Sequence, residues 1–398
     1  MIKSIFISAA LCLFVNQFKA QSNAITFEHG TFKEIKEKAL KENKLIFIDA
    51  YTTWCGPCKQ MAKNVFTDKD VAEYYNKNLV NAKIDMEKGE GIEIAKMYEV
   101  KCYPNLLFID GNGNLIHRVA GSMTPTEFIA LAEEAKNSEK NFSYFVKNYE
   151  SNKTNTEFLK KYIEAKENTC LDGSDLVKDY FALQKEENLS NKSNWEMIHA
   201  HTNSMESNEY KYLVANKKKF DDLYNANIVN EKVDDIHRNT LYNIIKTKPL
   251  DEKLYSETKE RILALKLEGT ALVVFEADLR FARKKEDWKS FAKLAVENVD
   301  VFYKDNADML NSISWDFYEK VDDKQALEKA ESWAKKACEK DNSYPFLDTY
   351  AAVLYKLGKK QMALEIANKA IAMAKKDKMT AEDYQGTTDL LKKIKELK

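Results

Sequence analysis

Between residues 31 and 136 the chain alternates short apolar runs with charged stretches of helical period. Residues 44–51 (KLIFIDAY), 79–85 (LVNAKID) and 105–110 (NLLFID) read as strands buried in a sheet. Residues 31–43, 56–66, 68–78 and 90–98 read as helices, and a last helix runs from Pro125 to about Lys136 with Thr124 as its N-cap. The turn Gly111-Asn112-Gly113-Asn114 leads into an apolar stretch at 115–120, which predicts an antiparallel hairpin. Strands alternating with helices predict a mostly parallel sheet covered on both faces, with that hairpin as an antiparallel edge, a mixed α/β domain in all.

The punctuation changes near residue 140. Gly30, Gly56, Pro57, Gly89, Gly91, Pro104, Gly111, Gly113, Gly121 and Pro125 divide the chain before that point, and glycine and proline are sparse after it. A domain boundary therefore falls between Asn137 and Asn141. From Phe142 onward the pattern is helix after helix with short polar joins, an all-α region. Leu347, Tyr350, Ala351, Leu354, Gly358, Ala363, Ala367 and Ala370 follow the helix–turn–helix spacing of a tetratricopeptide repeat, and Ala326, Ala330 and Trp333 echo it weakly upstream. The expected division is an α/β domain at 22–137, a helical domain at 141–305 and a helical region carrying the repeat at 306–398.

Composition narrows the function classes. The 398 residues are enough for two or three domains with a core in each. Sixty-two basic side chains balance 63 acidic ones, so no net field draws the chain to nucleic acid or an anionic membrane surface. Lys3 followed by the apolar stretch 4–15 reads as a signal peptide, too short to span a bilayer, with cleavage near Ala20. Cys12 is an apolar residue of that stretch, because Leu11 stands where a lipid-anchor motif carries a small residue. The expected location is periplasmic or secreted, with no membrane span after cleavage.

Six cysteines are too few and too scattered for a disulfide scaffold in a chain of this length, which leaves the close pair as the informative one. Trp54-Cys55-Gly56-Pro57-Cys58-Lys59 follows a predicted strand and opens a predicted helix. A thiol at a helix start faces unpaired backbone N–H groups and the positive end of the dipole, which favour its thiolate. Cys55 is accordingly the attacking residue. Cys58, three positions on and further inside, resolves the mixed disulfide. Zinc would need four ligands, and neither a second CxxC nor a suitable Cys/His pair is present, so no metal and no cofactor is expected. A static disulfide remains the other reading of the pair. Cys170 and Cys338 lie in helical patterns and read as core residues.

FIDAYTTWCGPCK and, downstream, EVKCYPNLLFIDGNG resemble the thioredoxin superfamily over residues 25–137. Residues 51–70 (YTTWCGPCKQMAKNVFTDKD) are similar to the periplasmic thioredoxin-like domain of the transmembrane electron transporter DsbD and to its soluble relatives. The resemblance implies that Asp49 is the buried acid that takes the resolving thiol's proton, and that Pro104 after Tyr103 is the cis-proline that presents backbone to an extended client. It implies client contact for Trp54, Gly56, Pro57 and Tyr103. Tyr51 stands where thioredoxins often have Trp, Asn105 where Thr is usual, and Asn81 where many carry a Lys paired with the buried acid. Cys102 is an additional thiol at the client edge, either a regulatory or resolving cysteine or a small half-buried residue.

Gly-Pro between the cysteines is the pairing of reducing thioredoxins, so the resemblance implies a reductant or exchange enzyme for disulfides of exported proteins. Electrons would come from a membrane donor of the DsbD kind. A second reading makes the helical half the main business of the chain, an adaptor that binds partners with the redox domain as a client-holding module.

Overall fold

The structure, a computed structural model, describes residues 24–397. The signal segment expected at 1–20 lies outside the described residues. Helix α1 (Phe32–Glu42) begins at a capping box, in which Thr31 accepts from the Glu34 N–H and the Glu34 carboxylate takes the Thr31 N–H at 2.7 Å. It ends at Asn43, whose φ of 49° is the left-handed turn that delivers the chain into strand β1 (Leu45–Tyr51). There follow α2 (Gly56–Asn64), α3 (Lys69–Asn78), β2 (Leu79–Asp85), α4 (Gly91–Met97), β3 (Asn105–Ile109), β4 (Leu115–Ala120) and α5 (Pro125–Lys136). Helix α5 carries the expected Thr124 cap, completed by Glu127.

The sheet order is β2-β1-β3-β4. Strand β1 pairs parallel with β2, Leu45 opposite Leu79 through Tyr51 opposite Asp85, while β1–β3 and β3–β4 are antiparallel. The mostly parallel sheet expected from the alternation is thus corrected, since two of the three pairings are antiparallel. Helix length explains it. The seven residues of α4 rise only about 10 Å, less than half of the roughly 23 Å that the seven residues of β2 span. Helix α4 by itself does not carry the chain back along the sheet, and β3 starts at the end where β2 finishes and runs antiparallel to β1.

Side chains of β1 alternate between two cores. Phe47 joins Met61, Phe66, Tyr75, Leu106, Phe108 and Phe128 beneath α2, α3 and α5; Ile46 and Ile48 join Phe32, Ile35, Val80, Ile94 and Leu107 beneath α1 and α4. The first core is aromatic. Phe47 lies 5.1–5.4 Å from the rings of Tyr75, Phe108 and Phe128, and Tyr75 stacks on Phe128 at 4.2 Å. By the same alternation Asp49 falls on the α2 face.

The structure divides into two compact units, the first ending in the chain at Lys185 and the second starting at Glu186. The first extends past the 137–141 change of composition to include α6 (Phe142–Asn152), α7 (Thr156–Glu167) and α8 (Ser174–Ala182). Helix α6 is tied to the sheet edge, where the Phe142 N–H donates to His117 Nδ1 at 3.1 Å. Among the described residues the second unit holds helices α9–α20, from Lys192 to Glu396, and no strand. Within it, α18 (Tyr344–Lys356) and α19 (Lys360–Lys376) form the expected hairpin, turning at Gly358 with φ 73°. The small residues Ala351, Ala363, Ala367, Ala370 and Ala374 are fully buried and let the helices approach. Among the described residues no helix is long and apolar enough to cross a membrane.

Candidate redox site

Strand β1 ends at Tyr51, and a turn in which the Cys55 N–H reaches the Thr52 carbonyl at 3.2 Å raises the chain into α2. Cys55 is the N-cap of that helix. Its extended backbone (φ −67°, ψ 109°) leaves the sulfur facing the helix start, where it accepts the Cys58 N–H at 3.1 Å. Pro57 is tolerated in the first turn because its missing N–H has no partner to lose there. Cys55 and Cys58 form a disulfide with Cα atoms 5.3 Å apart. Both residues are buried, so exposure does not separate them; what separates them is the cap, where the Cys58 N–H donates to the Cys55 sulfur.

Asp49 is fully buried. Burial pushes its carboxyl above the ordinary range, and the Lys83 ammonium opposes this from 2.5 Å. Its Oδ1 has no hydrogen-bond partner among the described residues. The expectation that the acid's lysine would stand at position 81 is off by one period of the strand. Asn81 faces Phe47, and Lys83 is the residue opposite Asp49 in the parallel ladder. Lys83 was missed because a lone lysine near a strand end reads as solvent-facing. Its ammonium sits 4.4 Å from the Tyr51 ring centre and 5.3 Å from that of Phe66, so the tyrosine in the usual tryptophan position forms one wall of an aromatic box around it.

Trp54 is 65% exposed. Its indole N–H donates to both Glu87 carboxylate oxygens at 3.0–3.1 Å, and its ring meets Tyr103 edge-on at 5.9 Å. The Tyr103–Pro104 bond is cis, as the resemblance implied. Behind it lies a group that the sequence did not single out. Buried Arg118 donates to the carbonyls of Tyr98 and Glu99 and, at 3.4 Å, to Asn105 Oδ1, which fixes the residue after Pro104. Burial brings its guanidinium down to about 10. The only hint in the sequence is an arginine beside His117 in a strand whose other residues are apolar.

The remaining cysteines overturn two expectations. Cys170 is not a core residue; it is exposed in the turn after α7 with φ 56°. Cys102 is not a free thiol, being bonded to Cys170 across 68 positions. A helical-period reading sees one residue at a time and cannot pair cysteines so distant. Cys338 is free and half-buried, and burial raises its thiol to about 11.

Residues 32–136 match the family described as Thioredoxin-like domain. The chain is 30% identical over 116 residues to the thiol:disulfide interchange protein DsbD of Tatumella citrea, covering 28% of this chain and 20% of that one. It is 40% identical over 74 residues to thioredoxin-1 of Drosophila melanogaster, 19% of this chain and 64% of that one. A solution structure from Bacteroides thetaiotaomicron, described as a candidate disulphide-isomerase, is 45% identical and covers 30% of this chain and 99% of its own, at a TM-score of 0.28. The chain thus spans a fifth of this DsbD relative and under two thirds of the thioredoxin. Its first unit carries a thioredoxin-like domain with a disulfide across the CxxC pair, followed in the chain by an all-helical region.

Proposed function

We propose that the protein is an exported thiol–disulfide oxidoreductase that reduces or exchanges disulfides of extracytoplasmic proteins. One observation carries this reading. The capping sulfur of Cys55 is held against the start of α2, in disulfide linkage with Cys58, while Asp49 on the strand beneath presents a buried carboxylate oxygen with no hydrogen-bond partner among the described residues.

In the reduced enzyme Cys55, as thiolate, attacks a client disulfide, joins one client sulfur and releases the other. Asp49 then takes the Cys58 proton, and the Cys58 thiolate attacks Cys55, closing the disulfide and freeing the client as a dithiol. Trp54, Tyr103, Gly56, Pro57 and Pro104 form the surface the client meets. Returning the enzyme to the dithiol state requires an electron donor, for which the similarity to DsbD supports a membrane transporter of that kind. Export rests on residues 1–20, and the N-terminus of the mature protein tests it: a start near Gln21 agrees, an intact Met1 does not. For the chain as a whole we propose the division 1–20, 22–137, 141–305 and 306–398, the last with a tetratricopeptide-like repeat at α18–α19.

The decisive experiment is trapping with the full chain. Cys58→Ser is expected to accumulate clients as mixed disulfides on Cys55, and Cys55→Ser to accumulate none. Adducts on Cys55→Ser alone would reverse the roles. Their absence from both variants would favour the adaptor reading, which the α18–α19 hairpin and its buried alanine seam support.

A further inference from the structure

The Cys102–Cys170 disulfide has no part in the exchange just described, yet it stands beside it. Cys102 is two residues before Pro104, and the residue between them, Tyr103, is the one that meets Trp54 at 5.9 Å. The other end is open. Cys170 is exposed, and its φ of 56° is a conformation that residues with a Cβ rarely adopt. The turn that carries it also grips the sheet. Asn168 O accepts the Ala120 N–H at 2.7 Å, and the neighbouring Gly121 N–H donates to Pro104 O at 2.9 Å. Ala120 ends β4, the edge strand, and an outward N–H on such an edge is the donor that an extended peptide takes when it adds to a sheet. Here Asn168 occupies it.

The surroundings favour opening of the bond. Lys101 adjoins Cys102, and Lys166 lies one helical turn before Cys170 with its ammonium 2.9 Å from the Asp172 carbonyl. Hydrogen bonds from Ser174 chiefly lower the Asp172 carboxyl, and the charges of Lys166 and Lys101 lower it further, so both ammonium groups stand near the turn beside that one carboxylate. Positive charge stabilises the thiolates that leave when a disulfide is attacked.

We propose that Cys102–Cys170 is a second exchangeable disulfide, opened by a protein dithiol, which latches the 168–170 turn across the Ala120 end of β4 and controls access of extended clients to that edge. A thiolate of the dithiol attacks the Cys170 sulfur, the Cys102–Cys170 bond breaks, and Cys102 leaves as a thiolate. The dithiol's second thiolate then attacks its own bonded sulfur and expels Cys170. The reductant ends as a disulfide, and its two protons end on Cys102 and Cys170. The redox behaviour of the latch is independent of the function proposed above; its effect on clients rests on that function.

The test uses the full chain carrying Cys55→Ser and Cys58→Ser, poised in mixtures of reduced and oxidised dithiothreitol, alkylated, and mapped by mass spectrometry at Cys102 and Cys170. The two thiols are expected to appear together while the protein remains folded, with loss of hydrogen-exchange protection at the Ala120 amide. Alkylation without reductant, opening only on unfolding, or an Ala120 amide indifferent to opening would each overturn the latch. With Cys55 and Cys58 intact, Cys170→Ser is expected to lower KM for an extended peptide disulfide about threefold, the worth of one backbone hydrogen bond. KM for oxidised glutathione should stay unchanged. Equal KM values for the peptide in variant and wild type would overturn control of access. Absence of turnover on both substrates in the wild type would overturn the exchange reading of Cys55–Cys58, leaving the alkylation result to decide the latch by itself.

Discussion

Lys83 and Asp49 face each other across the parallel β1–β2 ladder, Nζ 2.5 Å from Oδ2, and the ammonium is the one cation paired with this acid among the described residues. The pair balances two opposed demands. Burial favours the protonated carboxyl, and Lys83 favours the carboxylate that a base must be.

Removing the cation should therefore move the acid limb of the rate profile. In Lys83→Met the Asp49 carboxyl rises further, so the pH below which client release slows shifts upward. Asp49→Asn is expected to slow release by about 100-fold, the low end for a lost proton acceptor, while leaving the first attack by Cys55 intact. Stopped-flow measurement of mixed-disulfide formation and decay separates the two steps. Equal slowing of both would remove Asp49 from the proton path.

His117 should make the fold acid-sensitive. It is buried on β4, accepts the Phe142 N–H at Nδ1, and is held down to about 4 by burial. In the unfolded chain it takes its proton near 6.5. Between those values the unfolded state binds the extra proton, so stability falls as pH is lowered through the window. The loss by pH 5 is about 2 kcal/mol from this residue. Asp49, raised rather than lowered, acts in the opposite direction, so the informative comparison is wild type against His117→Gln, whose denaturation midpoints should vary less between pH 7 and 5.

The aromatic core sets the stability of the first unit. Phe47 is fully buried among Phe66, Tyr75, Phe108 and Phe128. Phe47→Ala is expected to cost about 3–5 kcal/mol, since the packed rings cannot collapse into the space left. Met97→Ala, at a position 62% exposed, should stay within about 0.5 kcal/mol. Urea unfolding of the two variants checks both, and a Phe47→Ala loss under about 1 kcal/mol would contradict the packing described.

The α/β part was legible because its signals are local. Short apolar runs, the Thr124 cap and the Gly-Asn turn each act within a few residues, and β2, β4 and α5 begin and end where the pattern places them. What escaped depends on pairing. The direction of β3 follows from the shortness of α4, the partner of Asp49 from the register that aligns it with Lys83, and the role of Arg118 from carbonyls twenty positions away. The same holds for Cys170, whose helical context concealed a bond to a residue 68 positions back.

That bond bears on where the first unit can be cut. A chain stopped at residue 137, where the composition changes, would leave Cys102 with an unpaired sulfur, and would strip the Ala120 N–H and His117 Nδ1 of the groups that now meet them. Strand β4 would become an open edge of the kind along which sheets of separate molecules join. The turn at 168–170 and the start of helix α6 cover that edge, so a chain cut beyond Cys170 keeps the groups that meet Ala120 and His117, and one cut at 137 loses them.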